Sequence, residues 1–120
     1  MTTHLLNFEP QFSGLVHLGA KRQTIRPARK RPFAVGDTLR LYTGLRRPGV
    51  RLLGEGRVTA IRTVRFAWDG WLLDGKPLAF GALTRIAHLD GFGDWFAMIH
   101  WFEHTHGLPF EGVLIRWVRV

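Results

Sequence analysis

Hydrophobic and polar positions along this chain recur at two periods, and the switches between them divide it into elements. Phe8, Phe12, Leu15 and Val16 fall at i, i+4, i+7 and i+8, which predicts an amphipathic helix with Pro10 in its first turn. Gly19 suits the left-handed residue that closes such a helix. Gln23–Arg26 then reads as extended, with Thr24 and Arg26 sharing one face and Ile25 buried on the other. After a turn at Val35-Gly36-Asp37, Thr38–Thr43 alternates as a strand, Leu39 and Leu41 inward, Arg40 and Tyr42 outward. Val50–Leu53 and Arg57–Phe66 read as two further strands, separated by Gly54-Glu55-Gly56. Asp74-Gly75 predicts a tight hairpin turn between Trp68–Leu73 and Lys76–Leu78, and Asp69-Gly70 an earlier turn or bulge.

The period then lengthens again. Ala79–His88 reads as a short helix with Ala79, Leu83, Ile86 and Ala87 inward, ended by Asp90-Gly91-Phe92-Gly93. A second helix runs from Asp94 to His106 on a stripe of Trp95, Ile99 and Phe102, with Asp94 at its positive end. Gly107 and Pro109 stop it, and Val113–Val120 closes the chain as a strand. Strands in the middle with helices at both flanks give a single α+β domain over residues 1–120. Five or six short, mostly antiparallel strands would close into a small barrel, which leaves no exposed edge.

Composition narrows the functional classes. A hydrophobic share of 46% with nine Phe and five Trp supplies a real core and argues against disorder. Cysteine is missing, so disulfides and thiolate–metal sites are excluded. No apolar run approaches the ~20 residues that span a bilayer, and MTTHLLNFEP lacks the shape of a signal peptide. A soluble, cytoplasmic monomer without membrane association is the expectation. Ser13, the one serine, sits on the first helix without a neighbouring acid and base, so a serine-hydrolase triad is not expected.

Charge changes the picture most. The formal net charge is +8, and ten of the 17 Lys and Arg fall between Lys21 and Arg51, where Asp37 is the one acid. Arg22, Arg26, Arg29, Lys30, Arg31, Arg40, Arg46 and Arg47 belong to this segment. Such density reads as an electrostatic footprint for phosphate, and so for RNA, a nucleotide or a nucleoside; a solvated basic surface is the plainer alternative. Tyr42 and the guanidinium planes could stack on bases.

The stretch Gly19-Ala20-Lys21-Arg22-Gln23-Thr24-Ile25-Arg26 places a lysine three residues before a threonine where a helix gives way to a strand. Lys21 and Thr24 point to opposite sides of an extended chain, so their chemistry converges only if the chain turns between them. With Val35-Gly36-Asp37-Thr38-Leu39-Arg40-Leu41 and Leu89-Asp90-Gly91-Phe92, this stretch resembles the ASCH domain, a branch of the PUA-like β-barrels, from about Phe8 to Trp117. The overall layout, including Gly107-Leu-Pro-Phe-Glu-Gly before the last strand, is similar to small bacterial and phage members.

The resemblance implies a PUA-like barrel with a basic cleft walled by Lys21, Thr24, Arg26 and Asp90, and Arg22 and Gln23 are candidate ligand-binding residues beside it. Some small bacterial members remove the acetyl group from acetylated cytidine with a lysine, a threonine and a glutamate. Lys21 and Thr24 match the first two by motif. Asp90 stands where the family usually has glutamate, one methylene longer, which puts its reach in question. On that reading Lys21, desolvated beside Arg22 and Arg26, is a general base, Thr24 the nucleophile, and Asp90 orients the lysine or handles the leaving amine's proton. Relatives also bind RNA, and some cleave it, so a non-enzymatic RNA-binding module or a ribonuclease uses the same residues. The plainer alternative has Lys21 and Arg26 meeting phosphate while Asp90 ends a helix.

His100, Glu103 and His104 fit H-x-x-E-H, with His106 just beyond, and His100 and His104 share a helix face at a spacing that can hold zinc. Metalloproteases with that motif are far larger and bring a distant third ligand. The histidines are therefore read as a solvated surface, with no metal and no cofactor expected.

Overall fold

The N-terminal strand is one that the hydrophobic pattern conceals. In the computed structural model, which describes residues 1–120, Thr3–Phe8 forms β1, and its inward positions are His4, Leu6 and Phe8. His4 is polar yet buried, while Leu5 is apolar yet half exposed, so the segment does not alternate in hydrophobicity. His4 is tolerated inside because Nε2 donates to Asp37 Oδ2 (2.9 Å) and the ring lies 4.4 Å from that of Phe33. Phe8 thus ends a strand instead of beginning a helix. The helix α1 spans Pro10–Leu18, with Phe12 and Val16 buried and Leu15 partly exposed.

Beyond α1 come β2 (Gln23–Arg26), β3 (Thr38–Thr43), β4 (Arg51–Ala67), β5 (Gly70–Leu73), β6 (Lys76–Pro77), α2 (Phe80–Leu89), α3 (Trp95–His106) and β7 (Phe110–Arg119). The alternation in β3 falls as read, with Leu39 and Leu41 fully buried, and Asp74 and Gly75, at φ 50° and 76°, turn β5 into β6. The glycines at 54 and 56 do not break the middle of the chain: β4 runs 17 residues straight through them. They accommodate side chains of β7 instead. The Arg119 guanidinium crosses Gly54 and the Trp117 indole covers Gly56, where a Cβ would lie 2.9 Å from Trp117 Cγ.

β1 runs parallel to β3, and β3 antiparallel to β4, whose far half pairs with β5, which pairs in turn with β6. β7 lies antiparallel along β4, and β2 along β7. One bulge lets β4 serve both faces. Val58 pairs with Trp117 and Ala60 with Arg116, so Thr59 is an extra residue that shifts the alternation. Val58 and Ile61 consequently face one core, with Leu6, Phe8, Phe12, Leu41 and Ile115, while Val64 and Phe66 face a second core made with α2 and α3.

The α+β class holds, but the closed barrel expected from the sequence does not form. Seven strands make a single mixed sheet that stays open, because β1 bonds only to β3 and β2 only to β7. The physical reason lies at those two free edges. Carbonyls of β1 that a closing ladder would use take side-chain donors: Arg26 Nη2 to Asn7 O (2.7 Å) and Arg29 Nη2 to Leu5 O (3.1 Å). No helix is long and apolar enough to cross a membrane.

Gly56→Ala is expected to force the Trp117 indole off β4 at a cost of ~1–3 kcal/mol. Thermal unfolding followed by circular dichroism should show Tm lowered by roughly 5–10 °C. An unchanged Tm would mean the indole moves aside freely and does not lock β4 to β7.

Candidate functional site

The lysine of the first motif is carried indoors by the end of α1. Gly19 adopts φ 79°, and the N–H groups of Ala20 and Lys21 both return to Leu15 O (2.9 and 3.0 Å), which folds the chain back across the helix end. Arg119 donates to the carbonyls of Val16 and His17, placing a cation at the negative end of the helix. Lys21 is left 3% exposed. Its Nζ donates to Gln23 O and Asp90 O, both at 2.6 Å, and lies 3.5 Å from Asp90 Oδ2. The rings of Phe12 and Phe8 stand 5.2 and 5.8 Å from it. Arg22, its neighbour in sequence, points to solvent and takes no part.

Asp90 is positioned by the end of α2. Gly91 follows at φ 97°, and a Cβ there would crowd Phe12 Cδ1 (3.1 Å) and Lys21 Cδ (3.4 Å), so Asp-Gly is the pair that lets α2 end against the lysine stem. Phe92 then packs edge-on to Phe12, centroids 5.3 Å apart. The Asp90 side chain is buried, with Oδ1 accepting from Gln23 Nε2 (3.1 Å). Asp90 Oδ2 stands 3.5 Å from Lys21 Nζ, so the aspartate side chain is long enough to reach the lysine.

On β2, Thr24 and Arg26 share a face as the sequence implied, and Arg26 Nε donates to Thr24 Oγ1 (3.1 Å). Lys21, Thr24, Arg26 and Asp90 all line one cavity of ≈ 300 Å³ beside the unpaired edges of β1 and β2. No hydrogen bond joins Lys21 to Thr24 across it. The remaining walls come from Asn7 and Phe8 of β1, Glu9 and Phe12 of α1, Ile25, Pro27 and Phe92, and Trp101, Thr105 and His106 of α3. The α3 residues were hidden by reading the helix's histidines as outer surface. A signal was present: His106 follows Phe102 by one helical turn, and its ring packs 5.8 Å from Phe102 and 5.7 Å from Trp101.

The other residues expected at the site are dispersed. Gln23 is 2% exposed and sits behind Asp90, not on the ligand side. Arg40 pairs with Glu55 (3.3 Å) and lies over Tyr42 on the outer face of β3, away from the cavity lining. Arg29, Lys30 and Arg31 are exposed just after Pro27, and Arg46 and Arg47 in a loop tied to the cavity wall by Leu45 N–H to Asn7 Oδ1 (2.9 Å). Asp37, the acid within this basic segment, is buried against His4 and the N–H of Ala34, so it does not neutralise that surface. On α3, His100 stacks on Phe96 (4.3 Å), Glu103 accepts from Trp68 Nε1 (2.7 Å), and His104 is exposed; no group of three or more His, Cys, Asp or Glu side chains could hold a metal ion.

Burial sets the electrostatics. Desolvation, with the positive charge of Arg26 adding to it, lowers the Lys21 pKa to about 8, against the opposing pull of Asp90. Desolvation likewise raises Asp90, and lowers Arg26 to about 10 with help from Arg29. His106 is lowered by desolvation and then by Arg26. Two of the Lys21 N–H bonds are matched to backbone carbonyls, so losing the third proton breaks no short hydrogen bond. An amine so held can exchange a proton with a neighbour near neutral pH. The Thr24 hydroxyl beside it receives a guanidinium N–H, which favours a developing negative charge on oxygen.

Fold and site together define a small α+β domain with a cavity, lined by Lys21, Thr24, Arg26 and Asp90, at the seam of an open sheet. Comparison of the chain with protein-family models, curated proteins and solved structures gives no match.

Folding weakens proton binding at Lys21, from 10.5 to about 8. Between those values the unfolded chain holds more protons, so stability contributed by this site rises with pH. Urea unfolding at pH 8 and pH 9.5 should show a gain of about 1–2 kcal/mol in the native protein that Lys21→Met lacks. Equal slopes in the two proteins would mean the amine is not desolvated.

Proposed function

We propose that this chain is an ASCH-type, PUA-like domain whose cavity takes a modified nucleoside and hydrolyses an acyl amide on its base. The observation that carries this reading is the Lys21 amine, buried and held by two backbone carbonyls between the Asp90 carboxyl and the cavity that Thr24 lines. Such a group is costly to bury, and pKa values shifted by burial concentrate where chemistry is done. The motif resemblance supports the same three residues.

In the proposed reaction Thr24 Oγ1 attacks the acyl carbonyl, and its proton passes to neutral Lys21 through a water that spans the gap between them. Arg26 Nε–H, already directed at Oγ1, stabilises negative charge during attack. The C–N bond breaks, and Lys21, steadied by Asp90, returns the proton to the leaving amine. A second water then hydrolyses the threonine ester, giving the free nucleoside amine and a carboxylic acid.

The cavity's charges favour a neutral ligand. Lys21 and Arg26 are balanced by Glu9 and Asp90, while the cationic excess lies outside on Arg29, Lys30, Arg31, Arg46 and Arg47. Its ≈ 300 Å³ lies at the small end of ligand sites, of order 300–1,000 Å³, a size suited to a base with part of its sugar.

With acetylated cytidine as substrate, turnover should rise with pH through about 8 and fall at least ~100-fold in Lys21→Arg, since arginine cannot give up its proton. Thr24→Ala should remove it. Full turnover by Lys21→Arg sinks the catalytic assignment.

The exposed basic loops beside the mouth favour a second reading, in which RNA phosphates lie on Arg29–Arg31 and Arg46–Arg47 while one base enters the cavity. Affinity for a short single-stranded RNA should then fall linearly in log K against log salt, with a slope of about −0.7 per phosphate contacted. A flat response rules out polyanion binding by this face.

A further inference from the structure

Behind the cavity, the Gln23 carboxamide has both Nε2 protons and one Oε1 lone pair engaged by partners that together favour one orientation. Its Oε1 accepts from Arg116 Nε (3.2 Å), which can only donate. Its Nε2 donates to Ile86 O (3.2 Å), which can only accept, and to Asp90 Oδ1 (3.1 Å). Flipping the amide would set N–H against the Arg116 N–H and oxygen against both Ile86 O and Asp90. The orientation is therefore dictated from two sides, by β7 and by α2. Arg116 is the direct cross-strand partner of Gln23 on β7, so sheet register itself delivers the guanidinium to that oxygen.

We propose that Gln23 is a positioning residue: locked by Arg116 and Ile86, it presents N–H to Asp90 Oδ1 and so turns Oδ2 toward Lys21. Its effect on reaction rests on the amidohydrolase reading; its effect on Asp90 does not. The bond it gives favours the ionised carboxyl, opposing the burial that favours the neutral form. An ionised Asp90 in turn holds the proton on Lys21 more firmly, so the amide tunes where the lysine becomes a base. The charged groups acting on Asp90 are Lys21 before β2 and Arg26 on β2, while Glu9 at the head of α1 and His106 at the end of α3 share the cavity.

The test is carbon-13 NMR titration of the Asp90 carboxyl in the native protein, Gln23→Met and Arg116→Met, with folding checked by circular dichroism. Removing the N–H donor should raise the Asp90 midpoint by about one pH unit. Arg116→Met, which removes one lock on the amide and leaves Ile86 O as the other, should raise it less. If Gln23 only braces β2 against α2, Gln23→Met lowers Tm while the Asp90 midpoint stays put, and the proposal is overturned. Should Gln23→Met not fold, the Gln23 Nε2–H resonances of the native protein carry the test: they should shift with the Asp90 midpoint, and resonances that stay fixed through it overturn the proposal equally. Native protein without turnover on acetylated cytidine removes the amidohydrolase reading and leaves the carboxyl titration to decide Gln23. Where turnover is present, the pH–rate limb near 8 should move to lower pH in Gln23→Met.

Discussion

An ammonium group taken from water into a protein interior costs several kcal/mol even after relaxation, unless hydrogen bonds and an opposite charge offset it. Lys21 is placed under that constraint, and much of the structure around it answers to it. Carbonyl oxygens from Gln23 and Asp90 take two of its protons, and the Asp90 carboxyl stands 3.5 Å away. Meeting those terms requires α1 to end sharply at Gly19, α2 to end at Asp90-Gly91, and β2 to start at Gln23 in register with β7. The end of α2, distant in sequence, is thereby brought to the junction where α1 gives way to β2. Neither member of the pair is ideally solvated, and both pKa directions reflect it: the lysine is pulled down and the aspartate pushed up, each by desolvation first.

The open seam of the sheet is the second determinant. Unpaired edges are normally a hazard, and closing the sheet would remove them. Here Arg26 and Arg29 reach across to β1 carbonyls, so the edge is satisfied by side chains and the space between the strands remains available. Arg26 has two roles in consequence. It holds β1 against β2 and directs Nε–H at Thr24. A ladder in place of those guanidiniums would fill the region where the cavity lies.

Charge is sorted by depth. At the cavity, buried Lys21 stands against buried Asp90, and exposed Glu9 adds a negative charge near half-buried Arg26, whereas the unpaired arginines and lysines of the same sequence segment remain in water where their hydration is kept. This sorting separates two regions that the linear sequence runs together: a cavity where charges of both signs meet, and a cationic exterior whose field is screened over about 8–10 Å.

How much of this was legible depended on whether the signal was local. Gly19 as a helix end, the period of β3, the Asp74-Gly75 hairpin and the buried Leu83, Ile86 and Ala87 of α2 and Ile99 and Phe102 of α3 follow from φ preferences and side-chain period, which neighbouring residues dictate, whereas Ala79, expected inward, lies exposed before α2. Lys21, Thr24 and Asp90 were found by motif, and the structure places all three on one cavity. What neighbours could not dictate was decided in three dimensions. β1 was invisible because His4 is made an inside residue by Asp37, 33 positions away. Gly54 and Gly56 looked like a break because the Arg119 and Trp117 side chains that cross them come from the far end of the chain. Gln23 resembled a ligand contact until Arg116, Ile86 and Asp90 enclosed it, and His106, exposed as read, joins the cavity wall only because its ring is held against Trp101 and Phe102. Sequence alone determined the elements and the reactive residue types. Tertiary structure decided which of them lost water, and that loss turns a lysine into a candidate base.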